Sequence, residues 1–154
     1  MILIDTHAHI FFDNYKKDRD DVVRRAEEAG VRAIFDVGLD IPTNKQVLDT
    51  ADRYESVFPI LGFHPHEAKD FDRAAFSDFL AQHASKAVAL GEMGLDYFKD
   101  YSPKDRQRQV FEQVLEICVP MDMPLIFHSR AADDDMISFL KNAGPLRGVM
   151  HCFS

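Results

Sequence analysis

The chain has 154 residues, 46% of them hydrophobic and 29% charged, which suffices for one sizeable core in a single globular domain. A formal net charge of −8 excludes a protein that grips nucleic acid by a broad basic surface, because such binding rests on many Lys and Arg contacts to phosphate. No basic leader precedes an apolar stretch, no apolar run approaches about 18 residues, and Cys118 and Cys152 are too few for a disulfide framework. The expectation is a cytoplasmic protein with buried thiols and no membrane partner.

Short apolar runs alternate with longer amphipathic stretches, the pattern of repeated βα units over a parallel sheet. The runs at 2–4, 33–37, 58–62, 87–91, 124–127 and 149–150 are read as six strands. The first helix is expected over 20–29, with Val22, Val23, Ala26 and Ala29 on one face and Gly30 at its end. A second spans 43–54 with Val47, Leu48, Ala51 and Tyr54 inward, and a third 73–83 with Phe76, Phe79 and Leu80 inward. The fourth opens with Ser102 as N-cap and Pro103 and Asp105 in its first turn, then carries Val110, Phe111, Val114, Leu115 and Cys118 until Pro120 stops it. Asp133, Asp134 and Asp135 read as a solvated cap at the start of another helix.

A closed barrel of this kind needs eight strands and typically about 250 residues, so residues 1–154 are expected to form a partial TIM-type (β/α) barrel of about six units. Its last two strands would lie C-terminal, and a fragment is favoured over a natural truncation. The open edges of the first and sixth strands would invite pairing, hence possible self-association.

Chemistry is concentrated at the strand ends. In Asp5-Thr6-His7-Ala8-His9, residues i and i+2 of an extended segment project to one side, so His7 and His9 can share a metal; two unrelated surface imidazoles are the bland alternative. His64 and His66, Glu92, His128 and His151 follow later strands, leaving His83 as a helical exception. Imidazole and carboxylate together suit divalent ions such as Zn, Mn or Mg, and catalytic groups gather at the C-terminal end of barrel strands.

The motifs Asp-Thr-His-Ala-His, Gly-Phe-His-Pro-His, Gly-Glu-Met-Gly-Leu-Asp-Tyr, Phe-His-Ser-Arg-Ala and Met-His-Cys-Phe-Ser, in this order, resemble the TatD family of metal-dependent deoxyribonucleases. The resemblance implies a hydrolase with two divalent metal ions, acting as an exonuclease on DNA that is single-stranded or has frayed ends. It further implies that His7 and His9 hold one ion and His128 and His151 the other, with Glu92 bridging them. His64 would touch substrate phosphate or help transfer a proton. Arg130 is read as a phosphate contact, with a loop tether as the alternative. Asp5 and Asp96 would be carboxylates supporting the ligands from behind, Asp5 by orienting an imidazole. A late aspartate of the family pattern has no counterpart in 1–154. Two other readings stay open: an amidohydrolase or deacylase on a small or tRNA-linked substrate, and an inactive metal-binding remnant. Glu92, where many amidohydrolases use a carboxylated lysine, favours the nuclease pattern.

Overall fold

The computed structural model describes residues 1–151, so Cys152 and the end of the last motif lie outside the described residues. Six strands form one sheet in the order of the chain: β1 (Leu3–Ala8), β2 (Val31–Val37), β3 (Val57–Leu61), β4 (Ala89–Asp96), β5 (Leu125–Arg130) and β6 (Gly148–His151). Every neighbouring pair is parallel. Helices α1 (Arg19–Glu28), α2 (Ile41–Arg53), α3 (Arg73–His83), α4 (Lys104–Cys118) and α5 (Asp133–Asn142) alternate with them. The result is a curled half-barrel of βα units. Among the described residues no helix is long and apolar enough to cross a membrane.

Several strands run beyond the apolar stretches that mark them in the sequence. β4 continues through Glu92 to Asp96 because its ladder with β5 continues, pairing Gly94 with His128 and Asp96 with Arg130. All eight of its residues are buried, so its polar side chains must find partners inside the curl.

The helices bury the expected stripes, with local corrections. Val110, Phe111, Val114 and Cys118 of α4 join Phe76, Phe79 and Leu80 of α3 in the main core, and burial pushes the Cys118 thiol up to about 12. On α1 only Val23 is buried, while Ala29 lies past the last turn and is exposed. Ser102 is not the N-cap of α4: Pro103 holds that place, and the buried Ser102 hydroxyl donates instead to His66 O and accepts from Lys69 N. The 133–135 run is not simply solvated either. Asp133 accepts from the Ser129 hydroxyl and Asp135 from Tyr97 Oη, so this turn is tied to β5 and to the segment after β4.

Two buried amides fix the strand ends. Asn44 of α2 donates to Gly62 O and accepts from Gly62 N, at 2.9 and 3.1 Å. Gly62 is required there, because a Cβ would overlap the backbone of Gly91. Gln107 of α4 does the same for Asp96, accepting from its N–H at 2.8 Å and donating to its carbonyl at 2.9 Å.

The outer strands are bare. Ile2, Ile4 and Val149 are 76%, 57% and 59% exposed. Yet the curl brings the C-terminal ends of β1 and β6 together, where the His7 and His151 rings stack with centroids 3.5 Å apart.

Candidate metal centre

The curl points the C-terminal ends of β1, β3, β4, β5 and β6 at one buried carboxylate. Glu92 Oε1 accepts from His128 Nδ1 at 2.6 Å and faces His64 Nε2 at 3.8 Å. Its Oε2 lies 3.2 Å from His7 Nε2 and 4.0 Å from His9 Nε2. Burial alone would raise the pKa of Glu92, but the hydrogen bonds from His128 and His7 outweigh it and hold the carboxyl far below the usual range.

Two donor triads share this residue. His7, Glu92 and His151 form one, and His64, Glu92 and His128 the other, each with ligand atoms within 4.8 Å of one another. This grouping differs from the pairing the motifs imply. His151 stacks on His7 and joins its triad, whereas His128 sits with His64, because the curl brings the ends of β1 and β6 together while the segments after β3 and within β5 flank Glu92 on β4. His9 is held just beside the first triad. Its Nδ1 donates to Val37 O at 2.7 Å, which fixes the tautomer and leaves Nε2 as the free lone pair.

The donor chemistry fits divalent ions. His7 Nδ1 is buried and has no hydrogen-bond partner among the described residues, an arrangement that costs free energy until something binds there. Burial pushes His64 down to about 3 and also lowers His9 and His151, so these imidazoles are neutral and carry lone pairs. Burial works against the charged form of His128 too, but the Glu92 and Asp96 carboxylates outweigh it and raise its pKa.

The supporting residues are distributed unevenly. Asp96 Oδ2 meets His128 Nε2 at 3.1 Å and His66 Nε2 at 2.8 Å, so it anchors two imidazoles. Asp5 does not orient a ring. It is exposed, and its Oδ1 accepts from the backbone N–H of His7, because the short side chain folds back along its own strand. Arg130 is exposed outside both triads, its guanidinium carbon 4.3 Å from the centroid of the Phe98 ring. His83 lies away at the end of α3, packed on Phe79.

Three residues escape a reading of the sequence, and a fourth, His66, is noted there only as following a strand. His66 sits in the short 3-10 helix Pro65–Asp70 rather than on a strand, so the i, i+2 argument does not reach it. Asn44 and Gln107 break the apolar stripes of their helices, which is the signal that could have found them. Asp36 is a charge within an apolar run. Its Oδ1 accepts from Ile10 N at 2.9 Å, its Oδ2 is buried without a partner, and burial raises its pKa to about 7.

A parallel, curled βα sheet with a histidine-ringed carboxylate at its strand ends is the architecture of barrel metallohydrolases. The sequence model of the TatD related DNase family matches residues 4–154, and the chain belongs to that family. Over 157 aligned residues it is 38% identical to the uncharacterized metal-dependent hydrolase YabD of Bacillus subtilis, covering 99% of this chain and 61% of that protein. It is 31% identical to the 3'-5' ssDNA/RNA exonuclease TatD of Salmonella typhimurium, covering 99% of this chain and 60% of that one. The crystal structure of YJJV, a TatD homolog from Escherichia coli K12, superimposes with a TM-score of 0.90 at 32% identity, over 99% of this chain and 60% of YJJV. The chain thus spans about three fifths of the length of the relatives it matches.

Proposed function

We propose that this chain is the greater part of a metal-dependent phosphodiester hydrolase, a deoxyribonuclease that trims terminal nucleotides from single-stranded DNA or frayed ends. In this reading 1–154 is a partial barrel domain completed by two further strands. The observation that carries the proposal is Glu92, one anionic carboxylate common to two histidine triads.

The ligand set is His7, His9, Glu92, His128 and His151, taking two divalent ions of the Mg, Mn or Zn class with Glu92 common to both. When bound, such ions supply Lewis acidity to phosphoryl oxygens and make water a nucleophile at neutral pH. The chain's own residues do the positioning. Val37 O aims His9, and Asp96 holds the second nitrogen of His128, as carboxylates behind a ligand imidazole commonly do. His64 is neutral and faces the His128 side of Glu92, placed to donate to a substrate phosphate or to carry a proton. Lone-pair nitrogens and a carboxylate repel a polyanion unless cations intervene, which agrees with an acidic chain that handles nucleic acid only locally.

The test pairs calorimetric titration of chelator-stripped protein with hydrolysis of end-labelled single-stranded DNA, beside ester and amide substrates. Two equivalents of Mn²⁺ should bind, and Mn²⁺ or Mg²⁺ should restore DNA hydrolysis. Glu92→Gln should lose both binding and turnover by more than about 100-fold. Hydrolysis that persists in excess chelator sinks the metal mechanism. Turnover of amides in place of DNA assigns the chain to the deacylase class, and two bound equivalents with no turnover make it a remnant.

A further inference from the structure

The segment that joins β4 to α4 carries two large apolar side chains left in solvent, Phe98 at 62% and Tyr101 at 57% exposure. Neither is needed by the core. Cations collect on Phe98 and on the neighbouring Tyr97 in a chain whose net charge is −8. The Arg130 guanidinium lies 4.3 Å and Lys99 Nζ 5.3 Å from the Phe98 centroid, and Lys104 Nζ is 4.9 Å from that of Tyr97. An aromatic face offers stacking to a nucleobase, and an adjacent guanidinium offers a fork of donors to phosphate.

The segment is held in shape from several sides. Asp96 Oδ1 accepts from the N–H groups of Phe98 and Lys99 at 3.0 and 3.1 Å. Tyr97 N donates to Arg130 O at 2.8 Å, tying the segment to the end of β5. Gln107 Nε2 donates to Ser102 O at 2.9 Å, and the Ser102 hydroxyl donates to His66 O at 2.6 Å. A backbone fixed this way presents both rings without further ordering of the segment when something stacks on them.

The patch is continuous with the metal centre. The Tyr101 ring lies 4.7 Å from that of His66, whose Nε2 is 2.8 Å from Asp96 Oδ2, and the same oxygen meets His128 Nε2 at 3.1 Å. We infer that Phe98, Tyr101 and Arg130 form a subsite for single-stranded DNA, the rings stacking bases and the guanidinium pairing with phosphate. The inference rests on the proposed function in taking DNA as the substrate, but the binding it describes needs no hydrolysis.

The experiment measures fluorescence anisotropy of a labelled, phosphorothioate-linked oligodeoxythymidylate with the protein in Mg²⁺, so that the metal centre is screened and the strand resists cleavage. Phe98→Leu keeps an apolar side chain but removes the π face, and should weaken binding about tenfold, as should Tyr101→Leu. Phe98→Trp should retain wild-type affinity. Arg130→Gln should reduce the slope of log affinity against log salt by about 0.7. An abasic oligonucleotide of equal length should bind wild type and Phe98→Leu alike. The subsite is overturned if wild type fails to bind, if Phe98→Leu binds like wild type, or if wild type holds the abasic strand as tightly as the base-bearing one. Wild-type hydrolysis with Mn²⁺ is scored separately, so the catalytic reading and the subsite can each fail alone.

Discussion

Asp36 and Glu92 are both buried carboxylates, and their surroundings push them in opposite directions. Glu92 has imidazole donors and is held anionic, whereas Asp36 has backbone donors, a more distant Arg19 and one unpartnered oxygen, so burial raises it from 3.8 to about 7. Between those two values the folded state binds more proton than the unfolded state, so stability is greatest below the window and falls as pH rises through it. Asp36→Asn keeps an acceptor for Ile10 N and removes the titration. From about pH 5 to about pH 8, the urea midpoint of wild type should fall relative to that of Asp36→Asn by the equivalent of a few kcal/mol, the imidazole titrations being common to both. The contrast also explains what the sequence could disclose at this scale. His7, Glu92 and His128 are legible because ligand types recur at strand ends. Asp36 is hidden in an apolar run, and Asp5 is misleading, since a carboxylate two residues from a histidine reaches its backbone as readily as its ring.

The elements themselves are largely legible because period and burial agree: α2, α3 and α4 each bury the stripe their apolar residues define. Polar positions within those stripes are not legible, since their partners are backbone groups of distant strands. Asn44 is such a case. Asn44→Ala would strand both the N–H and the carbonyl of Gly62 in the interior, and should cost about 2–4 kcal/mol in chemical denaturation. The turn after β5 presents the opposite opportunity. Ala131 has φ of 53°, in the left-handed region where a Cβ is penalised. Ala131→Gly should raise stability by about 0.5–1 kcal/mol in the same assay, the relief exceeding the added freedom of the unfolded chain. Ser102 shows why a capping signature can mislead: its hydroxyl is claimed by the Pro65–Asp70 segment before α4 can use it.

For the whole molecule, the alternation of strands and helices predicts a parallel sheet with right-handed crossovers, and the recurrence of ligand types at successive strand ends points to chain order in place of a doubly wound arrangement. It does not reveal which ligands meet. That depends on the curl, which sets β1 against β6, a relation between elements far apart in the chain, and on which residues of the strands flanking β4 reach Glu92. The same curl leaves Ile4 and Val149 on open edges, so the 154-residue chain in isolation should self-associate above its 17.6 kDa mass, and the double variant Ile4→Lys, Val149→Lys should shift it toward monomer in light scattering. The stack of His7 on His151 has a mechanical consequence. It joins the two rims of the sheet through side chains, with no ladder between β1 and β6 among the described residues, so the rims form a hinged seam. An ion gripped by both rings would cinch that seam, and its loss would let the sheet splay. The spacing between probes on the two rims should therefore narrow as Mn²⁺ is added, a readout that needs no substrate.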